Sequence, residues 1–451
     1  MKRNIFVVVL SLVFGAMLFH SGVYAGVCIH TSVDRPVVLA GSDDEHIVVK
    51  VGLSGDDSSI NLDRLPLNVS VVLDRSGSMR SNNKMEDAKR GAIEVVQRLN
   101  RNDIFSLVVY ESVPRVILSA QQVTNKDAII ELIQGIHSGG STALYGGVTM
   151  GADEVRKNLS DEYVNRIILL SDGLANVGPG STSDLSELGQ SLIKEGITVT
   201  TIGVGLDYNE DLMTVLANKS GGNSYFAGNS KELPKIFAEE IGEAMTLMAK
   251  RIRVFVDCPK GVSPVTILGR EGNIYGQKMR SDIENLYGKN EKYILFEVKV
   301  PKHEDGKLIE AARVNVEYTD PYTRNSINET KKVTIKYNKN IDIVKNQENK
   351  KIIKASALTR TSEMKEKAIK LSDNGRYEEA AKLLKNRGVE LEKVARECDN
   401  DKEILQEAFE CQDSSNVIIS NKGMSRLQRK SFKNDVSTQI GQQYYDPNRR
   451  N

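Results

Sequence analysis

The most regular pattern in the chain is an alternation of short apolar runs with amphipathic stretches between Leu67 and Ala249. The runs with the length and composition of buried β-strands are Leu67–Leu73, Ile104–Tyr110, Val113–Leu118, Arg166–Ser171, Thr198–Gly203 and Ser224–Ala227. The stretches that repeat apolar residues at helical spacing are Met85–Leu99, Lys126–Ile136, Leu144–Leu159, Ser183–Lys194, Asn209–Lys219 and Leu233–Met248. Strands that alternate with helices of this length predict an α/β fold with a doubly wound, mostly parallel, Rossmann-like sheet. The connection from Tyr110 to Val113 is too short for a crossover, so one antiparallel hairpin is expected at an edge of the sheet.

Both flanks of this region carry the alternation of apolar and polar residues that is typical of half-buried β-strands. It recurs between Arg251 and Tyr337, where turn-rich segments such as "YTDPYTRNS" separate the runs. Segment 26–66 is also strand-like, but it is too short to fold alone. The pattern therefore predicts one β-sandwich built from segments 26–66 and 250–340, with the α/β domain at 67–249 inserted between them.

The chain becomes helical from Lys354 onwards. One stretch resembles a single tetratricopeptide-like hairpin through Ala368, Leu371, Gly375, Tyr377, Ala380 and Leu384. We find no second copy, and such repeats need neighbours for stability, so a small helical bundle at 345–420 that rests on the sandwich is the favoured interpretation. Residues 421–451 are polar and mildly basic, and their composition predicts a largely disordered tail.

The N-terminus has the features of an export signal. Lys2 and Arg3 precede the apolar run Ile5–Phe19, and small residues lead up to Ala25, which predicts a signal peptide at 1–25 that is removed after export. The apolar run is shorter than the roughly 20 residues that a membrane-spanning helix needs. A lipid anchor at Cys28 is disfavoured, because the residue before it is not small. The mature chain is therefore expected to be periplasmic or secreted and to have no transmembrane segment.

Composition narrows the class of partner and the expected state of the cysteines. The formal net charge is +1 over 451 residues, which gives no sign of the clustered basic face that nucleic-acid binding needs. The four cysteines lack CxxC spacing and histidine is scarce, which argues against a zinc site. In an oxidising compartment two disulfides are expected, with four unpaired buried thiols as the alternative. Grouping by predicted domain pairs Cys28 with Cys258 and Cys398 with Cys411.

Three predicted loops of the α/β region carry side chains that end in oxygen atoms. Asp74, Ser76 and Ser78 lie in "VVLDRSGSMR", directly after the first strand of the α/β region. Thr142 lies in "SGGSTALYGG", and Asp172 ends a strand in "LLSDGLAN". Ligands of open parallel sheets bind at the carboxyl ends of the strands, so these five side chains are expected to meet. Their hard oxygen atoms suit a small dication, Mg²⁺ in particular, with Mn²⁺ or Ca²⁺ as alternatives.

Each of these loops also has an interpretation without a metal ion. Asp and Ser are common helix caps, and Asp-x-Ser-x-Ser alone would be interpreted as a cap. Thr142 and Asp172 are residue types that are common in turns. The convergence of three loops on one sheet edge favours the metal site. Because only two of the five side chains carry charge, an open coordination position would favour an incoming carboxylate.

The motifs "VVLDRSGSM", "GGSTALYGG", "IILLSDGLANVG" and "TIGVGLDYNEDLM" closely resemble the von Willebrand factor type A (VWA) domain, over roughly Leu67 to Ala249. The resemblance implies that the five oxygen-bearing residues form the metal-ion-dependent adhesion site (MIDAS) of that family, with none of them substituted. It also implies a protein ligand whose exposed Glu or Asp side chain completes the coordination of the metal. Within the family, the chain is similar to secreted bacterial members labelled calcium-activated chloride channel homologues, although it has no apolar segment that could form a pore.

Three classes of function are compatible with a metal site in an exported chain. The expected one is reversible, metal-dependent protein binding of the adhesion type. A structural or envelope-assembly component, with a metal that stabilises a permanent contact, is the first alternative. A metal-dependent hydrolase is disfavoured, because G-x-S-x-G is absent and the histidines after the signal peptide lie outside the three loops, at His30, His46, His137 and His303.

Overall fold

The computed structural model describes residues 26–43, 45–55, 64–288 and 290–443, so the predicted signal peptide at 1–25 lies outside the described residues. The strands are β1 (Val27–Val33), β2 (Val37–Leu39), β3 (Glu45–Gly55), β4 (Leu67–Asp74), β5 (Ile104–Tyr110), β6 (Arg115–Gln122), β7 (Val164–Ser171), β8 (Ile197–Val204), β9 (Ser224–Ala227), β10 (Leu247–Asp257), β11 (Ser263–Leu268), β12 (Gly272–Tyr275), β13 (Lys278–Tyr287), β14 (Glu291–Val300), β15 (Leu308–Thr319) and β16 (Ser326–Asn338). The helices are α1 (Lys84–Arg98), α2 (Lys126–Gln134), α3 (Leu144–Arg156), α4 (Thr182–Lys194), α5 (Glu210–Ser220), α6 (Leu233–Ala244), α7 (Ile341–Asn346), α8 (Lys350–Asp373), α9 (Tyr377–Glu397), α10 (Lys402–Asn421) and α11 (Arg426–Gly441).

The α/β domain is built on a six-stranded sheet with the strand order β6-β5-β4-β7-β8-β9. Its neighbouring strands are parallel except β5 and β6, which form the expected antiparallel hairpin at one edge. Strands β4, β5, β7 and β8 are buried along their whole length, which explains why apolar residues occupy both faces of each strand. Apolar residues of α1, α2 and α6 form a core on one face of the sheet, and those of α3, α4 and α5 form a core on the other. The predicted α/β fold is confirmed.

Two further sheets pack face to face as a sandwich. Their strand orders are β1-β3-β14-β11 and β12-β13-β10-β15-β16-β2. Strand β3 pairs with β14 along its length, from Glu45 opposite Val300 to Ser54 opposite Glu291. The sandwich therefore joins strands that precede the α/β domain to strands that follow it. One shared apolar core contains residues of both sets of strands.

The boundary between the α/β domain and the sandwich lies at the start of strand β10. The sequence predicted a helix as far as Met248, but α6 ends at Ala244 and β10 begins at Leu247. Leu247 lies opposite Tyr287 of β13 in the six-stranded sheet of the sandwich. Strand pairing in the sandwich thus overrides the helical spacing of the apolar residues in this segment.

The C-terminal helical region packs around a core of its own, which includes residues of α8, α9 and α10 together with Phe432 of α11. The prediction of a disordered tail is wrong for residues 426–441, which form α11. The polar composition of this segment did not predict a helix, because its charged residues are stabilised by partners on other helices. Asp435 of α11, for example, accepts a hydrogen bond from the buried Lys365 of α8 at 3.1 Å. No described helix combines the length and the apolar character that crossing a membrane would require.

All four cysteines are free thiols in this structure, so neither predicted disulfide is formed. Cys28 is exposed in one sheet of the sandwich, whereas Cys258 is buried after β10 of the other sheet. Cys398 follows α9, and Cys411 lies about two and a half turns into α10, which moves it away from Cys398. Burial raises the pKa of the Cys411 thiol to about 12, which disfavours the reactive thiolate.

Candidate functional site

The three loops that the sequence singled out meet at the carboxyl edge of the parallel sheet. Asp74 is the last residue of β4, and Asp172 directly follows β7. Thr142 lies just before α3, in the loop that connects α2 on one face of the sheet to α3 on the other face. The Gly77 N–H donates to the Gly140 carbonyl at 3.0 Å, which ties the first loop to the second. The structure thus brings all five candidate residues, Asp74, Ser76, Ser78, Thr142 and Asp172, into one cluster.

Asp74 is held from two sides. Its Oδ1 accepts a hydrogen bond from the Ser76 backbone N–H at 2.8 Å, and its Oδ2 accepts one from the Ser171 hydroxyl at 3.0 Å. Burial raises the pKa of Asp74 to about 6, and the nearby charge of Asp172 acts in the same direction, while the hydrogen bonds from Ser76 and Ser171 oppose the shift. A buried carboxylate of this kind is stabilised by a cation, so protons and a metal ion compete for Asp74.

The two carboxylate oxygens of Asp172 accept hydrogen bonds from different partners, one from a serine of the cluster and one from a lysine. Its Oδ1 accepts from the Ser78 hydroxyl at 2.6 Å, and the Ser78 and Ser76 hydroxyl oxygens lie 3.0 Å apart. Its Oδ2 accepts from Lys84 Nζ at 2.7 Å. Asp172 is fully buried, and Lys84 is only 8% exposed. This charge-assisted contact orients the carboxylate so that Oδ1 faces the serines.

Thr142 is positioned by a reciprocal pair of hydrogen bonds with Asn176. The Thr142 N–H donates to Asn176 Oδ1 at 2.9 Å, and the Asn176 N–H donates to the Thr142 carbonyl at 3.2 Å. A Cβ placed on Gly173 would lie 3.3 Å from Thr142 Oγ1, 3.5 Å from Ser78 Oγ and 4.0 Å from Ser76 Oγ. Three hydroxyl oxygens therefore surround one small space beside Gly173, which a larger residue at that position would fill.

The donor set of this cluster fits a hard dication. It consists of two carboxylates and three hydroxyls, and it contains no nitrogen or sulfur ligand. Within the described part of the chain, no group of three or more His, Cys, Asp or Glu residues could hold a metal ion. A cation at this site would therefore depend on the hydroxyl oxygens, a coordination that Mg²⁺ accepts together with bound water.

Sequence reasoning missed the residues that support the cluster. Ser171 and Asn176 flank Asp172 in the same motif, so their proximity was visible, but their hydrogen bonds depend on how the loop turns. Lys84 opens α1, and a lysine at the start of a helix usually faces solvent. Only the packing of α1 against the loop after β7 shows that Lys84 is buried beside Asp172.

The cluster opens into a cleft of about 740 Å³. The hydroxyl-bearing residues Ser76, Ser78 and Thr142 line one side of it. The start of α5 and the first turn of α11, with Arg426, line another side. The five candidate residues are therefore next to a space that a ligand can enter.

Residues 68–239 match the family model of the von Willebrand factor type A domain, so the chain contains a domain of this family. A von Willebrand factor type A structure from Catenulispora acidiphila has a TM-score of 0.67, with 16% identity, and the match covers 91% of this chain and 96% of that chain. The ArnB paralog VWA2 from Sulfolobus acidocaldarius has a TM-score of 0.56, with 17% identity, over 92% of this chain and 98% of that chain. Both structures share the fold of this chain.

Two curated relatives resemble part of the chain. An uncharacterized protein from Synechocystis is 30% identical over 200 residues, which are 44% of this chain and 46% of that protein. The human inter-alpha-trypsin inhibitor heavy chain H2 is 30% identical over 172 residues, which are 36% of this chain and 18% of that protein. The chain thus spans less than half the length of these relatives. VWA domains are typically metal-dependent protein-interaction modules, bind divalent metal ions at the MIDAS and are mostly non-enzymatic.

Proposed function

We propose that this protein is an extracytoplasmic, metal-dependent protein-binding module of the adhesion type. The observation that carries the proposal is the convergence of two carboxylates and three hydroxyls beside an open cleft. Asp74, Ser76, Ser78, Thr142 and Asp172 would hold the cation, Mg²⁺ first and Mn²⁺ or Ca²⁺ as alternatives. The cation supplies a positive centre that binds the carboxylate of an exposed Glu or Asp on a protein ligand.

The charges around the site favour an anionic ligand. Asp74 and Asp172 together balance the charge of a dication, and the three hydroxyls coordinate without adding charge. Lys84 contributes one further positive charge at 2.7 Å from Asp172 Oδ2. The occupied site would therefore carry a net positive charge in a buried setting, and a ligand carboxylate would neutralise it.

The proposal is tested first by metal-dependent stability. A cation that binds only the folded chain raises its stability by about 2.7 kcal/mol at a concentration 100 times the dissociation constant. We expect a higher melting temperature in Mg²⁺ than in EDTA for the native chain, and no such difference for Asp74→Ala. Ser141→Ala is the matched control, because Ser141 lines the same cleft without belonging to the five candidate ligands. An unchanged melting temperature of the native chain at saturating Mg²⁺ would contradict the metal site.

Partner binding is tested by affinity capture of exported proteins from the source organism. Partners should be retained by the native chain in Mg²⁺, released by EDTA and absent with Asp74→Ala. Envelope assembly, the first alternative, would give a complex that forms only with metal but survives later addition of EDTA. A hydrolase would instead show Mg²⁺-dependent turnover of generic phosphoester or ester substrates that Asp74→Ala abolishes.

The extracytoplasmic location is tested separately. If the segment 1–25 is a signal peptide, the full-length chain expressed in a bacterial host should accumulate outside the cytoplasm with Gly26 as its first residue. Intact-mass measurement of the purified protein gives the answer. A cytoplasmic product that retains residues 1–25 would contradict the proposed location without affecting the metal site.

A further inference from the structure

The cleft beside the candidate metal site has a second wall that comes from the end of the chain. Arg426, the first residue of α11, lines the same cleft as Ser76, Ser78 and Thr142. Its guanidinium lies 3.2 Å from Asp207 Oδ1, and the two side chains are 78% and 65% exposed. Arg426 thus places a positive charge, paired with the exposed Asp207, in the lining of the cleft.

Buried and half-buried ion pairs hold this wall against the α/β domain. Arg429 Nη2 lies 2.6 Å from Asp211 Oδ2 and 2.8 Å from Asp373 Oδ2, so it links α11 to α5 and to α8. Lys430 Nζ donates to the Tyr208 carbonyl at 2.6 Å and pairs with Glu210. Because several contacts fix the first two turns of α11, the cleft is formed before a ligand arrives, which lowers the entropic cost of binding.

Two exposed apolar side chains also line the cleft. Leu174 is 60% exposed and Leu206 is 41% exposed, and both line the cleft. Both leucines therefore expose apolar surface to the cleft. Their position suits one apolar side chain of a ligand.

We propose that the cleft binds a peptide segment with two acidic residues. One carboxylate would complete the metal site, the second would lie beside Arg426, and an apolar side chain between them would contact Leu174 and Leu206. This inference rests on the proposed function and specifies its class of ligand. It also gives the C-terminal helical region a role, since α11 supplies a specificity-determining residue to the site of the α/β domain.

Charge complementarity favours an acidic residue at the second contact position of the peptide. The positive positions open to a ligand would be the cation and Arg426, whose partner Asp207 is exposed, whereas Arg429 and Lys430 both pair with the buried Glu210. Asp207 competes for Arg426 in the free protein, so a ligand carboxylate would have to displace or share this contact. Replacing Asp207 should therefore strengthen the acidic preference, whereas reversing the charge of Arg426 should invert it.

The probe for this inference is a library of short peptides, each with one fixed central Glu, selected on the immobilised full-length chain in Mg²⁺ and in EDTA. The native chain should enrich Asp or Glu at one flanking position by about 1.5- to fivefold, the range expected for an exposed ion pair. Arg426→Glu should enrich Lys or Arg at that position, and Asp207→Asn should raise the acidic preference. Lys302→Glu is the matched control, because Lys302 forms an exposed pair with Asp43 at 3.0 Å in the sandwich.

The outcomes separate this inference from the proposed function. Mg²⁺-dependent peptide binding with the same flanking preference in the native chain and in Arg426→Glu would overturn the inference and leave the proposed function standing. Failure of every peptide to bind in Mg²⁺, while Mg²⁺ still raises the melting temperature and partners are still captured, would likewise overturn the inference alone. Self-association of the native chain in Mg²⁺, without peptide selection, would identify a second copy as the occupant of the cleft and overturn the peptide inference.

Discussion

Lys84 Nζ lies 2.7 Å from Asp172 Oδ2, and both side chains are buried at the edge of the candidate metal site. The contact joins the first residue of α1 to the loop after β7, so it depends on two segments that are far apart in the sequence. It orients the Asp172 carboxylate toward Ser78 and places a fixed positive charge close to the position of a bound cation.

We expect Lys84→Met to change two binding constants in opposite directions. Without the lysine charge, the site should bind Mg²⁺ more tightly by about tenfold, because a buried like charge has been removed. The Mg²⁺-loaded variant should bind a simple carboxylate such as acetate more weakly by a similar factor. Calorimetric titration gives the first constant, and a nuclear magnetic resonance titration with acetate gives the second.

Lys89→Met is the control for this experiment, because Lys89 is also buried in α1 but pairs with Glu86 and the Gln134 carbonyl. It should leave both constants unchanged. If Lys84 only supported the local structure, Lys84→Met would weaken both Mg²⁺ and acetate binding, and the electrostatic explanation would be wrong.

Thr142→Ala should abolish ligand binding with little loss of stability. The substitution removes one hydroxyl oxygen from a loop and leaves the hydrogen bond from the Thr142 N–H to Asn176 in place. Thr142→Ser is the matched control, since it keeps the hydroxyl and should keep ligand binding. Pull-down of the captured partner and a thermal melting curve measure the two effects. Undiminished binding by Thr142→Ala would show that this hydroxyl does not take part.

Glu240→Gln should destabilise the whole protein strongly. Glu240 pairs with Arg166, which also donates to the Tyr287 hydroxyl of the sandwich, and Glu240 further accepts from the Thr200 hydroxyl at 2.6 Å. Removing one charge leaves the buried Arg166 without its direct carboxylate partner, at an expected cost of about 3–5 kcal/mol in the free energy of unfolding. Urea unfolding measures the change, with the exposed Glu187→Gln of α4 as the control. A loss no larger than that of the control would contradict this role.

Asp34→Asn should remove a pH dependence of stability. Asp34 is 7% exposed, and burial raises its pKa from 3.8 to about 6, partly opposed by the hydrogen bond from the Val48 N–H. Between these two values the folded chain binds more protons at Asp34 than the unfolded chain does. The contribution of Asp34 to stability therefore decreases as the pH rises from 3.8 to 6.

The test compares urea unfolding of the native chain and Asp34→Asn at pH values on both sides of that window. We expect the variant to gain stability relative to the native chain by about 2–3 kcal/mol as the pH rises through it, from the size of the pKa shift. Asp43→Asn, on the exposed surface, should show no comparable gain. Parallel pH profiles for the native chain and Asp34→Asn would show that Asp34 has no such effect.

The order of apolar and polar residues is sufficient to predict the architecture of the α/β domain and the residues at its carboxyl edge. Strands β4 and β7 are buried on both faces, so each ends in an uninterrupted apolar stretch, and the polar residues that follow it stand out. Parallel strands bring their carboxyl ends to one edge regardless of how the side chains pack. That topological rule is enough to place Asp74 and Asp172 together from the order of strands and helices alone.

The surroundings of that edge depend on contacts between segments that are distant in the sequence. Lys84 and Arg426 have no local pattern that marks them, because a lysine or arginine at the start of a helix is ordinarily solvated. The sequence likewise did not predict that α11 forms. Its charged residues are stabilised by partners far away in the chain, as Arg429 is by Asp211 and Asp373. Contacts between distant segments set the burial and pairing of a charge, and a sequence pattern reports only the neighbours within a few residues.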